Sequence, residues 1–361
     1  MNIFFLINTL RSGGAQQALS SITKSFDKSK KKIFLIIINK KDSKDAKVLN
    51  KNIEIIYLNK KISNFIPILL SLFFLIIKIK PKYFISTGNA ETIIYGRIIS
   101  FITKTYHISW VQFDYLNSKP IFFLKQILWH VFFKKLFFID KNIIVISKFL
   151  FNRYYKDLHW DKNKLTIIPN TFSSFFLNKK KRYKLKKFIL CPGRLDYDKN
   201  HLTIIKALFK LKKKFSNFKC IFIGEKGNAY EDILVSIKNL NLKNNIIIKK
   251  FISASNFINL LYSAHLVLLI SKKEPFGVLA LETMFLKKNF IISNNTGFKD
   301  IIGDINLRNI VKNPNNHIEI FNKIIDLYKK PLLAKEKNIF YMRANHFECN
   351  VVHNQWLKIL R

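Results

Sequence analysis

The chain has 361 residues, with about half of them hydrophobic and 14% aromatic, enough for two packed cores rather than one. Cys191, Cys220 and Cys349 are far apart and form no C-x-x-C, which argues against a disulfide scaffold or a zinc site and fits a reducing compartment. The 63 lysines and arginines outnumber 22 acids for a net charge of +41, which turns attention to anionic partners: nucleic acid, anionic lipid or phosphorylated substrates. Lys, Ile, Asn and Phe all draw on A/T-rich codons and the lysines are scattered, so codon bias accounts for much of this charge. A residual pull toward an anionic membrane face remains, at about 1 kcal/mol per cation that reaches the surface.

Ile3–Ile7 reads as a first strand rather than a signal peptide, because no basic region precedes it. The loop Arg11-Ser12-Gly13-Gly14 then leads into a helix. Ile33–Ile38 and Ile53–Leu58 are further strands. The apolar run 65–77 falls short of the ~20 residues a bilayer requires and reads as a buried helix. Ile108–Val111 is a strand ending at Gln112. Residues 121–138 read as a helix packed on the sheet, with a membrane-surface helix as the alternative. A strand follows between Asp140 and Ser147, then Ile167-Ile168-Pro169-Asn170. Alternation of strands and helices argues a parallel sheet.

The lysine-rich stretch Asn178–Lys187 reads as a linker. A second strand–helix series opens with Phe188-Ile-Leu-Cys-Pro-Gly193-Arg194-Leu-Asp-Tyr-Asp-Lys199, with a helix from about Asn200. Arg194 and Lys199 then sit at the carboxyl edge of a sheet, where open α/β folds bind ligands, and a planar fork beside a mobile ammonium suits a diphosphate. His201 reads as a capping or packing residue. Lys219–Ile223 with Gly224-Glu-Lys-Gly227, and Ile246–Ile252, continue the series. Residues 315–330 form an amphipathic helix, and a last helix runs from about Asn345 to Arg361.

The stretch 267–289 organises this half. Val267–Ile270 reads as a buried strand, Pro275 as a first-turn residue, and 277–288 as a helix stopped at Asn289. Glu274 precedes the helix, while Glu282 lies inside it among Leu281, Met284 and Phe285. A carboxylate in apolar company is costly unless something donates hydrogen bonds to it. Eight residues at helical rise span ~12 Å, the scale of a nucleotide sugar from ribose to hexose. The amides of Phe276, Gly277 and Val278 at the helix start would face its phosphates.

Glu274-Pro-Phe-Gly-Val-Leu-Ala-Leu-Glu282 resembles the E-x7-E motif of family 4 retaining glycosyltransferases, and Gly193-Arg194-Leu195-x4-Lys199 is similar to that family's diphosphate clamp. The resemblance covers most of the chain and is tightest over residues 188–310. It implies an α/β chain of GT-B type, two Rossmann-like domains facing a cleft, with residues 1–178 on the acceptor side, residues 179–344 binding the nucleotide sugar, and the helix 345–361 crossing back. It implies that Glu274 meets the donor sugar and Glu282 the ribose. Arg194, Lys199 and the helix start would take the diphosphate, with Gly13 and Gly14 beneath it. Gln112 stands where many members carry a histidine at the donor, Lys250 where a glycine is usual, and Phe298 replaces one glycine of the turn at 296–300.

The expected reaction moves a hexose from a nucleotide diphosphate sugar to a hydroxyl of a glycan or lipid-linked acceptor, with retention, in cell-surface polysaccharide synthesis. The donor is a substrate rather than a cofactor, and no metal is expected, because no D-x-D pair sits at a suitable strand end and the resembled family needs no metal for catalysis. The expected location is the cytoplasm or the inner membrane face, without nucleic acid as a partner. The rivals are a nucleotide-sugar epimerase of the same fold and a basic nucleic-acid- or membrane-binding protein.

Overall fold

The structure is a computed structural model that describes residues 1–10, 14–25, 32–40, 53–115, 135–172, 186–250 and 252–360. The chain forms two compact units, Met1–Phe172 with Glu348–Arg361, and Ser173–Phe347.

Among the described residues, the first unit holds a sheet of seven strands: β1 (Asn2–Ile7), β2 (Lys32–Ile37), β3 (Ile53–Tyr57), β4 (Tyr83–Thr87), β5 (Tyr106–Val111), β6 (Asn142–Val145) and β7 (Leu165–Ile167). Their order is β3-β2-β1-β4-β5-β6-β7 and every pairing is parallel. β1 and β2 are apolar on both faces because a parallel sheet is covered on both sides. The helices are α1 (Gly14–Ser25), α2 (Phe65–Ile79), α3 (Ala90–Thr103) and α4 (Lys148–Leu158), the last capped by Ser147, whose hydroxyl accepts from the Leu150 amide at 3.2 Å.

The apolar run at 65–77 is helical, but the expectation of a buried helix needs correction. Ile68, Leu72 and Ile76 face the core, while Ile66, Leu70, Phe74 and Ile77 are half or more exposed. No helix among the described residues is long and apolar enough to cross a membrane. Of the segment 121–138, residues 121–134 lie outside the described residues, and Leu136–Ile139 forms a 3-10 turn.

A polar network, unmarked in the sequence, is sealed under this sheet. Asp140 accepts from Arg97 (3.0 and 2.7 Å) and Ser109 (2.8 Å) and lies 2.5 Å from Nδ1 of His107, whose Nε2 is 2.8 Å from the Ser86 hydroxyl. All five are fully buried. Burial alone would raise the Asp140 pKa, but Arg97 and His107 hold it below the usual carboxylate range.

Among its described residues the second unit carries six parallel strands: β8 (Lys186–Pro192), β9 (Lys219–Ile223), β10 (Ile246–Lys249), β11 (Ala264–Leu269), β12 (Phe290–Ser293) and β13 (Ile310–Val311), in the order β10-β9-β8-β11-β12-β13. Its helices are α5 (His201–Lys212), α6 (Tyr230–Asn239), α7 (Ala254–Ser263), α8 (Val278–Phe285), α9 (Thr296–Ile302), α10 (His317–Lys329) and α11 (Ala334–Asn345). The strand order reverses between β8 and β11. Ligands of open α/β sheets bind outside the carboxyl ends of strands at such a switch point. The closing helix α12 (Cys349–Ile359) packs in the first unit, where Trp356 meets Trp110 at 4.9 Å and the Cys349 thiol donates to the Ser21 carbonyl at 3.1 Å.

Candidate functional site

The loops that leave β8 and β11 at the switch point carry Gly193, Arg194, Lys199 and Glu274. Gly193 has φ +143°, and the Lys199 stem lies 3.5 Å from where its Cβ would stand. The loop after β9 lies directly on this turn. A Cβ at Gly224 would fall 2.0 Å from the Gly193 carbonyl oxygen, so this position requires glycine. The two loops are laced by bonds from Gly193 N–H to Ile223 (2.9 Å), Leu195 N–H to Glu225 (3.0 Å) and Ala229 N–H to Leu195 (3.0 Å).

Asp196 fixes the charge at the tip. Its carboxylate accepts from Arg194 Nε at 2.5 Å and from the Asn228 amide at 3.0 Å. The Arg194 side chain is 66% exposed, which leaves the rest of its fork open to solvent. Across the switch point the Lys199 ammonium forms an ion pair with Glu274, and the Ser271 hydroxyl lies 3.4 Å from the same carboxylate oxygen. The two loops also join where Asp198 accepts from the Lys272 amide at 2.7 Å.

The Glu274 loop is clamped from behind by α9. Gly297 N–H donates to the Glu274 carbonyl at 2.7 Å, and a Cβ on Gly297 would lie 2.3 Å from the Pro275 carbonyl oxygen. The Phe298 ring sits 2.3 Å from where a Gly277 Cβ would be, and Gly277 has φ +104°. The aromatic residue that departs from the family's glycine turn therefore fills the space that Gly277 leaves.

Gly277 is the N-cap and α8 begins at Val278, so Pro275 lies before the helix and not in its first turn. The helix ends at Phe285 and the chain turns left-handed at Lys287 (φ 52°), earlier than the stop expected at Asn289. Only part of the path from Glu274 to Glu282 is thus helical, and a span built on helical rise throughout does not apply. Among the described residues, the N–H groups of Phe276, Gly277 and Val278 have no acceptor. The side chains of Phe276 and Val278 are buried, which leaves only their backbone for a ligand.

Glu282 is half-buried on α8, and among the described residues nothing hydrogen-bonds or pairs with its carboxylate. Desolvation by the surrounding apolar groups pushes its pKa up to about 7. Lys199 and Glu274 are thus in contact, and Arg194 adjoins them through Gly193. Glu282 stands apart on α8 with its hydrogen-bonding capacity unspent.

Other residues singled out in the sequence fall elsewhere. Gln112 is 2% exposed, with its Nε2 donating to Thr87 Oγ1 at 3.2 Å and its Oε1 accepting from Asn170 at 3.0 Å. Both ends of the amide offered to the donor are therefore engaged inside the first unit, where they tie β4 and β5 to the Ile-Pro-Asn turn. Gly13 lies outside the described residues and Gly14 begins α1. His201 packs on Phe222 at 4.9 Å, and its pKa falls to about 3 through burial and then Lys199, so it stays neutral. Lys250 is exposed.

Sequence reasoning gave no role to Asp196 or Ser271, which hold Arg194 and Glu274. The i, i+2 spacing of Arg194 and Asp196 was the available signal. Among the described residues no group of three or more His, Cys, Asp or Glu could hold a metal ion.

Residues 173–345 match the family model described as glycosyl transferases group 1. The chain is 27% identical over 176 residues to a Campylobacter jejuni N-acetylgalactosamine-N,N'-diacetylbacillosaminyl-diphospho-undecaprenol 4-alpha-N-acetylgalactosaminyltransferase, a match that covers 48% of this chain and 46% of that protein. It spans between 30% and 49% of the length of the curated relatives it matches. Among solved structures, Anabaena HepE in complex with UDP and glucose superposes with a TM-score of 0.79 at 18% identity, covering 100% of this chain and 99% of that one. UDP-GlcNAc 2-epimerase from Methanocaldococcus jannaschii superposes with a TM-score of 0.63 at 15% identity, covering 100% and 99%. The chain has the GT-B fold, two Rossmann-like units with a C-terminal helix, and its second unit matches the glycosyl transferases group 1 model.

Proposed function

We propose that the chain is a retaining glycosyltransferase that moves a hexose from a nucleotide diphosphate sugar to a hydroxyl of a glycan or lipid-linked acceptor. The observation that carries this reading is the pair of carboxylates on one strand–loop–helix unit. Glu274 is held by Lys199 at the switch point, and Glu282 is half-buried with no hydrogen-bond partner among the described residues. The match to the glycosyl transferases group 1 model over this same unit supports it. So does the diphospho-undecaprenol acceptor in the name of the Campylobacter jejuni relative.

In this reading Arg194, Lys199 and the amides of Phe276, Gly277 and Val278 hold the diphosphate, Glu274 positions the sugar, and Glu282 accepts from the ribose hydroxyls. The acceptor oxygen bonds to the anomeric carbon as the bond from that carbon to the β-phosphate oxygen breaks. The acceptor proton passes to the departing phosphate oxygen, so no protein nucleophile is required. Charge built up on the leaving diphosphate meets fixed cations and helix amides, the kind of stabilisation that is usually the largest catalytic contribution. The nucleotide sugar serves as substrate, and no metal enters the scheme. Residues 1–178 with 345–361 would serve the acceptor and 179–344 the donor, with Gly13 and Gly14 on the acceptor side. Gln112 is left out because its amide is already bound. The enzyme would work in cell-surface polysaccharide synthesis at the cytoplasmic face of the membrane.

A melting-temperature screen with UDP-, GDP- and ADP-sugars tests the donor, because a ligand that binds only the folded chain raises that temperature. Stabilisation by one donor class that Glu282→Ala abolishes is the expected result; no stabilisation by any of them would sink the reading. An epimerase shares the fold, and incubation of the donor without acceptor separates the two, since only an epimerase returns an altered nucleotide sugar.

A further inference from the structure

Among the described residues, the outer face of α2 is left exposed. Ile66, Leu70, Phe74 and Ile77 are spaced 4, 4 and 3 apart and form one stripe opposite Ile68, Leu72 and Ile76, with exposures of 67, 53, 66 and 50%. α3 packs beside α2, and its last turn adds Phe101 and Ile102 at 68 and 56%. Scattered exposed apolar residues are ordinary, but a contiguous set on two adjoining helices marks a surface that is covered in use.

The charge around this surface says what covers it. Lys61, Lys78, Lys80 and Lys104 are exposed at the ends of the two helices. From residue 60 to residue 105 the sequence holds a single acidic residue, Glu91, in the first turn of α3. Both helices run into parallel neighbouring strands, so Lys78, Lys80 and Lys104 collect at the same sheet edge as Phe101 and Ile102. This edge is opposite the carboxyl ends of the strands. A second copy docked symmetrically on this face would set these lysines against their own counterparts.

We infer that the outer face of α2 and the end of α3 form a docking surface for an anionic lipid bilayer. The apolar stripe enters the boundary between headgroups and acyl chains, and the lysines meet lipid phosphates. The inference rests on this surface alone and stands whether or not the chain transfers sugar.

The test is co-sedimentation of the full chain with phosphatidylcholine vesicles, with and without about 30% phosphatidylglycerol. Ile66→Gln/Leu70→Gln/Phe74→Gln/Ile77→Gln removes the stripe at constant charge. Lys78→Glu/Lys80→Glu/Lys104→Glu removes the rim. Lys206→Glu/Lys238→Glu/Lys243→Glu makes the same charge change on exposed positions of the second unit. The expected result is binding to the anionic vesicles, a roughly fivefold loss of bound fraction in each of the first two variants, and no comparable loss in the third. Equal loss in the third variant reduces binding to net charge and overturns the proposal. So does an absence of binding by the unaltered chain. A dimer by light scattering that the glutamine variant dissolves gives the face to a second copy, which overturns it as well. Should the glutamine variant fail to fold, the rim variant set against the control triple decides alone.

Discussion

The two units each gather acids and bases at one place, and they use them in opposite ways. Under the first sheet, Ser86, Arg97, His107, Ser109 and Asp140 are wholly buried and bonded to one another. At the switch point of the second, Arg194 is mostly in solvent, Lys199 and Glu274 are paired but reachable, and Glu282 is bound to nothing described. The first has the residue types and order of contacts of a Ser–His–Asp relay, yet each member is 0% exposed and so out of reach of a ligand at the surface. Exposure and unspent hydrogen-bonding capacity, more than residue type, separate a node that holds a fold from one that binds.

That contrast is sharpest where breaking each node gives different readouts. Asp140→Ala leaves the Arg97 guanidinium buried without its partner, and unfolding in denaturant is expected to show a loss of about 3–5 kcal/mol. The Asp140 contribution is present above the carboxylate's unfolded pKa and is lost on acidification, because its folded pKa lies below that value. Lys199→Ala should do the reverse. It is expected to lower sugar transfer about 10²–10³-fold, with a stability loss smaller than that of Asp140→Ala, because the Lys199 and Glu274 side chains keep 27% and 13% of their surface in solvent. A stability loss as large as that of Asp140→Ala would make Lys199 structural and erase the distinction.

Arg194→Ala is expected to reduce transfer by about 1.5–3 kcal/mol, one charge-assisted contact, with unfolding free energy unchanged to within about 0.5 kcal/mol. Glu282→Gln is the finest test. The folded pKa of Glu282 lies above its unfolded value, so the carboxylate costs stability as pH rises from about 4.5 to about 7. The glutamine variant should therefore be more stable at pH 8 by roughly 1–3 kcal/mol, discounted for partial exposure. Its donor affinity should be lower, and the unaltered chain should bind donor more weakly as pH falls through 7. A variant that is neither more stable nor poorer in donor binding would remove Glu282 from the site.

Much of this was legible in the sequence. Buried apolar runs mark strands wherever a sheet is covered on both faces, whereas Gly193-Arg194 with Lys199, and Glu274 with Glu282, were singled out through their resemblance to family 4 glycosyltransferase motifs. The start of α8 was misplaced because Pro275 signals a first turn, whereas the left-handed Gly277 under the Phe298 ring sets the boundary. The Asp140 network was invisible because Ser86 and His107 lie on neighbouring strands, Arg97 on a helix and Asp140 in a loop, and only the fold brings them together. The stripe on α2 was misjudged since an all-round apolar helix ordinarily signals burial. Gly224 looked like a plain turn glycine, because its necessity comes from Gly193, a neighbour distant in the sequence.

That last contact bears on any attempt to redesign the loops at the switch point. With Gly224 pressed on the Gly193 carbonyl, the arginine-bearing turn and its neighbour move as a single mechanical part. Mutant libraries confined to either turn will mostly sample jammed backbones, whereas paired changes at both leave room for a differently shaped headpiece.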